Sequence, residues 1–319
     1  MINLARIADR GPLVAAGLAA ALLMAALWIP LLLASGGVAG GAVLMASFLS
    51  MYFLICSAAV VAFVALRHGE MSAFRVVGGC LLLLIVLSAV LYKSAVHVPL
   101  IATVFWLPAI LSAIVLARTV KLDFAVLATV ICGVVAVVGL TLFIGDTTEF
   151  WRSQFAGSSA MVNNPGLSEL SGSAEFEAQR EGIIDGIAKM MTGAMGVSVM
   201  SVALGALFLA RSWQAGLFNP GGFQQEFHAL SLGKNSALIC VLVIVLSVVQ
   251  NGQLAGAIAV VVIFAFFIQG LAVSHSLVKQ RGMHRFWLYG IYVMLVIPHT
   301  MLLLAALGLA DNMFRLRRD

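Results

Sequence analysis

From residue 12 onward the chain is a succession of apolar runs, each about as long as the hydrocarbon core of a bilayer is thick. The runs cover residues 12–34, 42–66, 76–92, 98–117, 124–145, 188–210, 236–249, 254–273 and 286–310. A helix needs roughly 20 apolar residues to cross that core. In hydrocarbon every backbone N–H and C=O has to be satisfied inside the structure, which leaves helices and closed barrels. Barrel strands alternate apolar and polar residues over short segments, whereas these runs are continuous. The expected fold class is all-α, a polytopic transmembrane helical bundle of about 8–9 spans forming a single integral membrane domain over 1–319. Composition agrees: 62% of residues are hydrophobic and 10% charged, against about 25% charged in soluble domains.

The net charge of +5 does not imply nucleic acid, because the basic residues sit at the ends of apolar runs, where they set orientation and meet anionic headgroups. With the N-terminus inside, the cytoplasmic side collects Arg6, Arg10, Arg67, Arg75, Arg118, Lys121, Arg211, Lys234, Lys279, Arg281 and Arg285. The opposite side collects only Lys93, Arg152, Arg180 and Lys189. The stretch 146–187 is acidic, with Asn163-Asn164-Pro165-Gly166 at its centre and flanks that suit short surface helices; it is expected outside. This orientation fits a bacterial inner membrane with the lipid bilayer as surroundings. Nine simple crossings would leave Arg315, Arg317 and Arg318 outside. Pro298 lies in the middle of the last run and can split it into two half-helices, so a cytoplasmic tail is expected.

Few side chains in the runs carry chemistry. Cys56, Cys80, Cys132 and Cys240 lack paired spacing, so they read as small hydrophobes rather than metal or redox ligands. No HExxH, GxSxG or Walker-type motif occurs, and every Asp and Glu lies in a loop, a terminus or at a span edge. No enzyme, metal site or cofactor is implied, and a proton-driven pump with its own intramembrane carboxylate is disfavoured. Trp106, Gln269 and His299 are the candidate lining of a solute pocket, against the commoner alternative of hydrogen bonds between helices. In the first run small residues recur four apart, as at Ala15/Ala19, Gly17/Ala21 and Ala21/Ala25. That pattern suits a face for docking another subunit or for close packing within the chain.

The stretch 211–234 differs from everything around it. Asn219-Pro220-Gly221-Gly222 suits a tight turn, since Pro sets φ and Gly accepts positive φ. Phe223, Phe227 and Leu230 then recur at helical spacing, with Gln224, Gln225, Glu226 and His228 between them. A cytoplasmic loop with a short amphipathic interfacial helix is expected, serving as a connector or as a docking element through Trp213, Asn219, Pro220, Gly221, Gly222, Phe223, Glu226 and Phe227.

The residues Ser212-Trp213-Gln214-Ala215-Gly216-Leu217-Phe218-Asn219-Pro220-Gly221-Gly222-Phe223, followed by Glu226-Phe227-His228-Ala229-Leu230, resemble the cytoplasmic loop of the YybS-like family of uncharacterised bacterial membrane proteins. Ser274-His275-Ser276-Leu277 with Arg285-Phe286-Trp287-Leu288, and Gly308-Leu309-Ala310-Asp311 with Phe314-Arg315-Leu316-Arg317, look like its C-terminal signatures. Gly233 and Lys234 stand where relatives carry prolines. Over the first five runs the likeness is one of hydropathy. The family is distantly similar in fold to the S components of energy-coupling-factor vitamin transporters, which implies a bound solute and a membrane coupling subunit as partner. Two functions from different classes fit these features. One is a solute-binding or transport component energised by a partner; the other is a scaffold that recruits a cytoplasmic protein through 211–234.

Overall fold

The computed structural model describes residues 2–35, 40–92, 97–156, 174–250, 252–314 and 316–317. The glycine-rich turn at 36–39, the connection at 93–96, the Asn-Asn-Pro-Gly segment at 163–166 and tail residues 315, 318 and 319 lie outside the described residues. Among the described residues every regular element is a helix: α1 (Ile2–Ala8), α2 (Pro12–Ser35), α3 (Gly40–His68), α4 (Glu70–Tyr92), α5 (His97–Thr119), α6 (Leu122–Ile144), α7 (Thr147–Ala156), α8 (Ala174–Phe218), α9 (Gly222–Ala229), α10 (Gly233–Gln250), α11 (Gln253–Gln280), α12 (Phe286–Met294) and α13 (Pro298–Phe314). Eight of them, α2 to α6 with α8, α10 and α11, are long and apolar enough to span a membrane. The polytopic all-α bundle is what the apolar runs dictate.

Helices α3 and α8 form the centre. α3 packs against α2, α4, α5 and α8, while α8 touches α3, α5, α6, α7 and α11. Lipid tails are as apolar as leucine, so the fit of close-approaching backbones, rather than hydrophobic burial, holds such helices together. The inward side of α3 accordingly carries Ala58, Ala59, Ala62 and Ala65, all buried. α10 leaves most of its surface exposed, as a helix facing lipid does.

Polar contacts sort the connections to two ends. At one end His68 Nε2 lies 2.9 Å from Asp9 Oδ1, Arg118 pairs with Glu70, and Asp123 Oδ1 accepts the Ser231 N–H at 2.9 Å. α9 belongs here as well, at the loop end of the bundle. At the other end Arg152 and Lys189 both pair with Asp185, and Trp151 Nε1 donates to Thr192 Oγ1 at 3.1 Å. The acidic stretch is thus anchored by α7 on one flank. Its other flank is no separate surface helix but the start of α8, which runs unbroken through 45 residues.

The ninth run is not one of these long helices. It divides into α12 and α13 around Leu295-Val296-Ile297, with Pro298 opening the second half. Proline lacks the N–H that would continue the helical ladder. The break is bridged by tighter bonds, from Val296 N to Val293 O at 3.3 Å, Ile297 N to Met294 O at 2.9 Å and Thr300 N to Ile297 O at 3.0 Å. The chain then returns to where the run began, because Gln280 Nε2 at the end of α11 donates to the Arg317 carbonyl at 3.4 Å. With eight candidate spans and this returning pair, the described residues near the two ends of the chain, Asp9 and Arg317, lie at the same loop end, an arrangement that does not need nine crossings.

Candidate functional site

The loop end is organised by α9. Asn219 to Gly221 form the expected turn, with Gly222 N donating to Asn219 O at 3.0 Å. Gly221 holds a left-handed φ of 88°, which a side chain would strain. The apolar side of α9 points into the protein. Phe223 and Phe227 stack around Phe208 at centroid distances of 5.7 and 5.6 Å, and Glu226 grips the Arg211 guanidinium through two oxygens. Trp213 is buried against Phe63, 6.4 Å away. Asn219, Pro220 and Gly221 remain exposed. Of the residues expected to dock a partner, the aromatic ones therefore seat α9 on its own bundle.

Behind α9 lies a buried polar network. Gln269, fully buried, accepts from Leu232 N at 3.0 Å and donates to Asp311 and Asn312 at 3.2 and 3.1 Å. Arg317 pairs with Asp311 at 2.5 Å, and its two terminal nitrogens donate to the carbonyls of His228 at 2.6 Å and Leu230 at 2.8 Å. A buried amide left unpaired costs about 1–3 kcal/mol, so this saturation ties α9, α11 and α13 into one unit. The α11–α13 crossing is tight enough that a Cβ on Gly308 would run into the Phe266 carbonyl oxygen, and one on Gly270 into that of Leu304.

Trp106, Gln269 and His299 do not converge. Trp106 Nε1 donates to Ser57 Oγ at 3.1 Å, and that hydroxyl donates to Ala19 O at 2.7 Å. Gln269 belongs to the network just described, and His299 is exposed. For the first two, pairing between helices is the arrangement present. Ala15 and Ala19 are likewise fully buried within a core that includes Ala58, Ala59 and Val60 of α3, so that face is occupied inside the chain. The neighbouring small residues Gly17, Ala21 and Ala25 instead line an apolar groove of about 420 Å³ against Leu83 and Leu87 of α4.

Two adjoining clefts open at the loop end and share His228. One, about 330 Å³, is walled by Phe208, Phe223, Phe227, His275 and Tyr292, with His275 Nε2 2.8 Å from the Tyr292 hydroxyl. The other, about 610 Å³, is lined by Gln225, Ala229, Ser276, Lys279, Gln280 and Arg317. Burial, then the charges of Lys279, His275 and Arg317, pushes the His228 imidazole below its ordinary range. Sequence reasoning passed over this site because 275–285 reads as a polar loop. α11 in fact continues to Gln280, so His275 and Lys279, and Ser276 and Gln280, stand four apart on it. That spacing was the one available signal.

Fold and cleft together define a polytopic α-helical membrane protein with a polar recess at one end of its bundle. The chain belongs to the family described as Predicted membrane protein (DUF2232), whose family model matches residues 38–312. Comparison with curated proteins and with solved structures yields no match.

Proposed function

We propose that this protein is the ligand-binding component of a membrane transport system, taking a small polar solute at the loop-end cleft and drawing energy from a partner. The observation that carries the reading is the cleft of about 610 Å³, walled by α9 on one side and α11 with the returning tail on the other. Broken helices that reverse within the membrane accompany solute sites in transporters, where irregular backbone is tolerated against protein or a cavity; the α12–α13 pair supports the reading in that way. Asp311 is neutralised by Arg317, which supports energy coming from a partner rather than from a proton path through this chain. The loop end is assigned to the cytoplasm of a bacterial inner membrane on its excess of Lys and Arg. The YybS-like motif at 212–230, and through it the distant likeness to S components, points the same way.

The test is thermal stability of the purified protein in detergent across a panel of vitamins, carboxylates and phosphorylated metabolites. At least one class is expected to raise Tm by several degrees through preferential binding to the folded state. If no member of the panel shifts Tm, the transport reading fails.

The scaffold reading has one observation in its favour. Phe218, Asn219, Pro220 and Gly221 project from the loop end, with Phe218 half exposed under the Arg67 guanidinium at 4.1 Å. A membrane coupling subunit or a cytoplasmic protein would meet this tip. Phe218→Ala tests it, since that side chain is half exposed at the tip, whereas Phe223 and Phe227 hold α9 in place. Loss of a co-purifying protein in that variant favours the scaffold, and unchanged co-purification rejects it.

A further inference from the structure

Resting on the ligand-binding reading, the larger cleft also indicates the chemistry of its ligand. Its lining residues include no carboxylate, and of its two cations Lys279 is exposed with no acidic partner among the described residues. Donors face the space from three elements: Gln225 and His228 on α9, Ser276, Lys279 and Gln280 on α11, and Arg317 on the tail. Ser276 is only 5% exposed, yet its hydroxyl has no hydrogen-bond partner among the described residues and borders the cleft. The planar fork of Arg317, which would suit a carboxylate, is already spent on Asp311 and on the carbonyls of His228 and Leu230. What remains is a point charge surrounded by single donors from several directions. That arrangement matches a tetrahedral oxyanion with several acceptor oxygens better than a flat bidentate one.

We infer that this cleft binds a phosphate group, with Lys279 as its counter-charge and with Gln225, Ser276 and the Gln280 N–H not given to the Arg317 carbonyl as hydrogen-bond donors. The phosphate has two conceivable sources, since the cleft lies where a bundle end meets a membrane surface: the headgroup of an anionic phospholipid, or a phosphate-bearing solute from the aqueous phase. Lys279 recognises either in the same way.

The experiment has two arms on the full-length protein. In the first, inorganic phosphate is titrated in detergent at constant ionic strength, with acetate as the comparison anion. In the second, the protein is reconstituted in nanodiscs of phosphatidylcholine alone or with phosphatidylglycerol. The readout in both is Tm. The expected result is a rise with phosphate but not acetate, or with phosphatidylglycerol over phosphatidylcholine; the arm that responds names the source. Lys279→Gln is expected to weaken the response on the order of tenfold, and Lys279→Arg to keep most of it. The inference is overturned if neither arm responds, if acetate matches phosphate, or if Lys279→Gln responds like the parent. A carboxylate from the metabolite panel that stabilises the protein while both arms fail overturns the phosphate assignment and leaves the ligand-binding reading standing. Silence in both arms and across the panel ends both.

Discussion

Arg317→Met tests the idea that the returning tail locks the loop end. The substitution leaves Asp311, 4% exposed at its side chain, buried without its counter-charge. It also strips a donor from each of two carbonyls, those of His228 and Leu230. Removing one partner of a buried ion pair costs about 3–5 kcal/mol. At a few degrees per kcal/mol, that corresponds to a fall in Tm of roughly 6–15 °C. Asp311→Leu in the same background removes the stranded carboxylate. Apolar replacement of a whole buried pair is often neutral or better, so the double variant is expected to regain about 2 kcal/mol relative to the sum of the single ones. Differential scanning fluorimetry on the parent, the two single variants and the double variant supplies the full cycle. A single Arg317→Met variant that melts within about 1 °C of the parent, or single effects that simply add, would refute the argument that this pair carries the junction of α9, α11 and α13.

Three further outcomes follow from the same structure. Gly308→Ala places a methyl group against the Phe266 carbonyl in a crossing that cannot open without moving α13, so a loss of about 1–3 kcal/mol is expected; a parent-like Tm would show the crossing to be looser than described. His228 has its imidazole pushed below the ordinary 6.5 by burial first and by Lys279, His275 and Arg317 after that. As pH falls below 6.5 the unfolded chain takes the proton before the folded one, so the stability present above that pH is lost on acidification. His228→Gln should flatten this part of the Tm-against-pH curve, and an unchanged slope would assign the effect to other groups. Reporters active only in the cytoplasm, fused separately to the N-terminus and after Asp319, should both be active, because eight spans and a re-entrant pair leave the ends on one side. Opposite signals would require an odd number of crossings.

Much of this architecture was legible in the chain. Eight of the nine apolar runs became spans, the Asn-Pro-Gly-Gly turn formed, and Phe223 and Phe227 announced a short amphipathic helix at 222–229. Boundaries were less legible. α8 and α11 continue well past their apolar runs, because hydropathy marks what lies in hydrocarbon and is silent on a helix that projects from it. The site was hardly legible at all. Gln269 was singled out as a pocket residue and is a structural one, since its partners Asn312 and Leu232 lie far away in sequence. His228 was read only as part of the polar side of the short helix, and His275 and Lys279 as residues of a basic loop.

The sequence by itself determined that the chain is a membrane protein, where its helices run, and that the basic connections share one end. These properties depend on how each segment partitions between water and hydrocarbon, which is local. Tertiary structure alone decided that the last run turns back at Pro298, that the aromatic side of α9 faces its own bundle, and that a cleft opens between α9 and α11. Lipid and neighbouring helices are equally apolar to a side chain, so hydrophobic periodicity does not say which face meets which. That choice rests on the fit of small residues such as Gly270 and Gly308 and on polar pairs such as Asp311 with Arg317, and both exist only once the helices have packed.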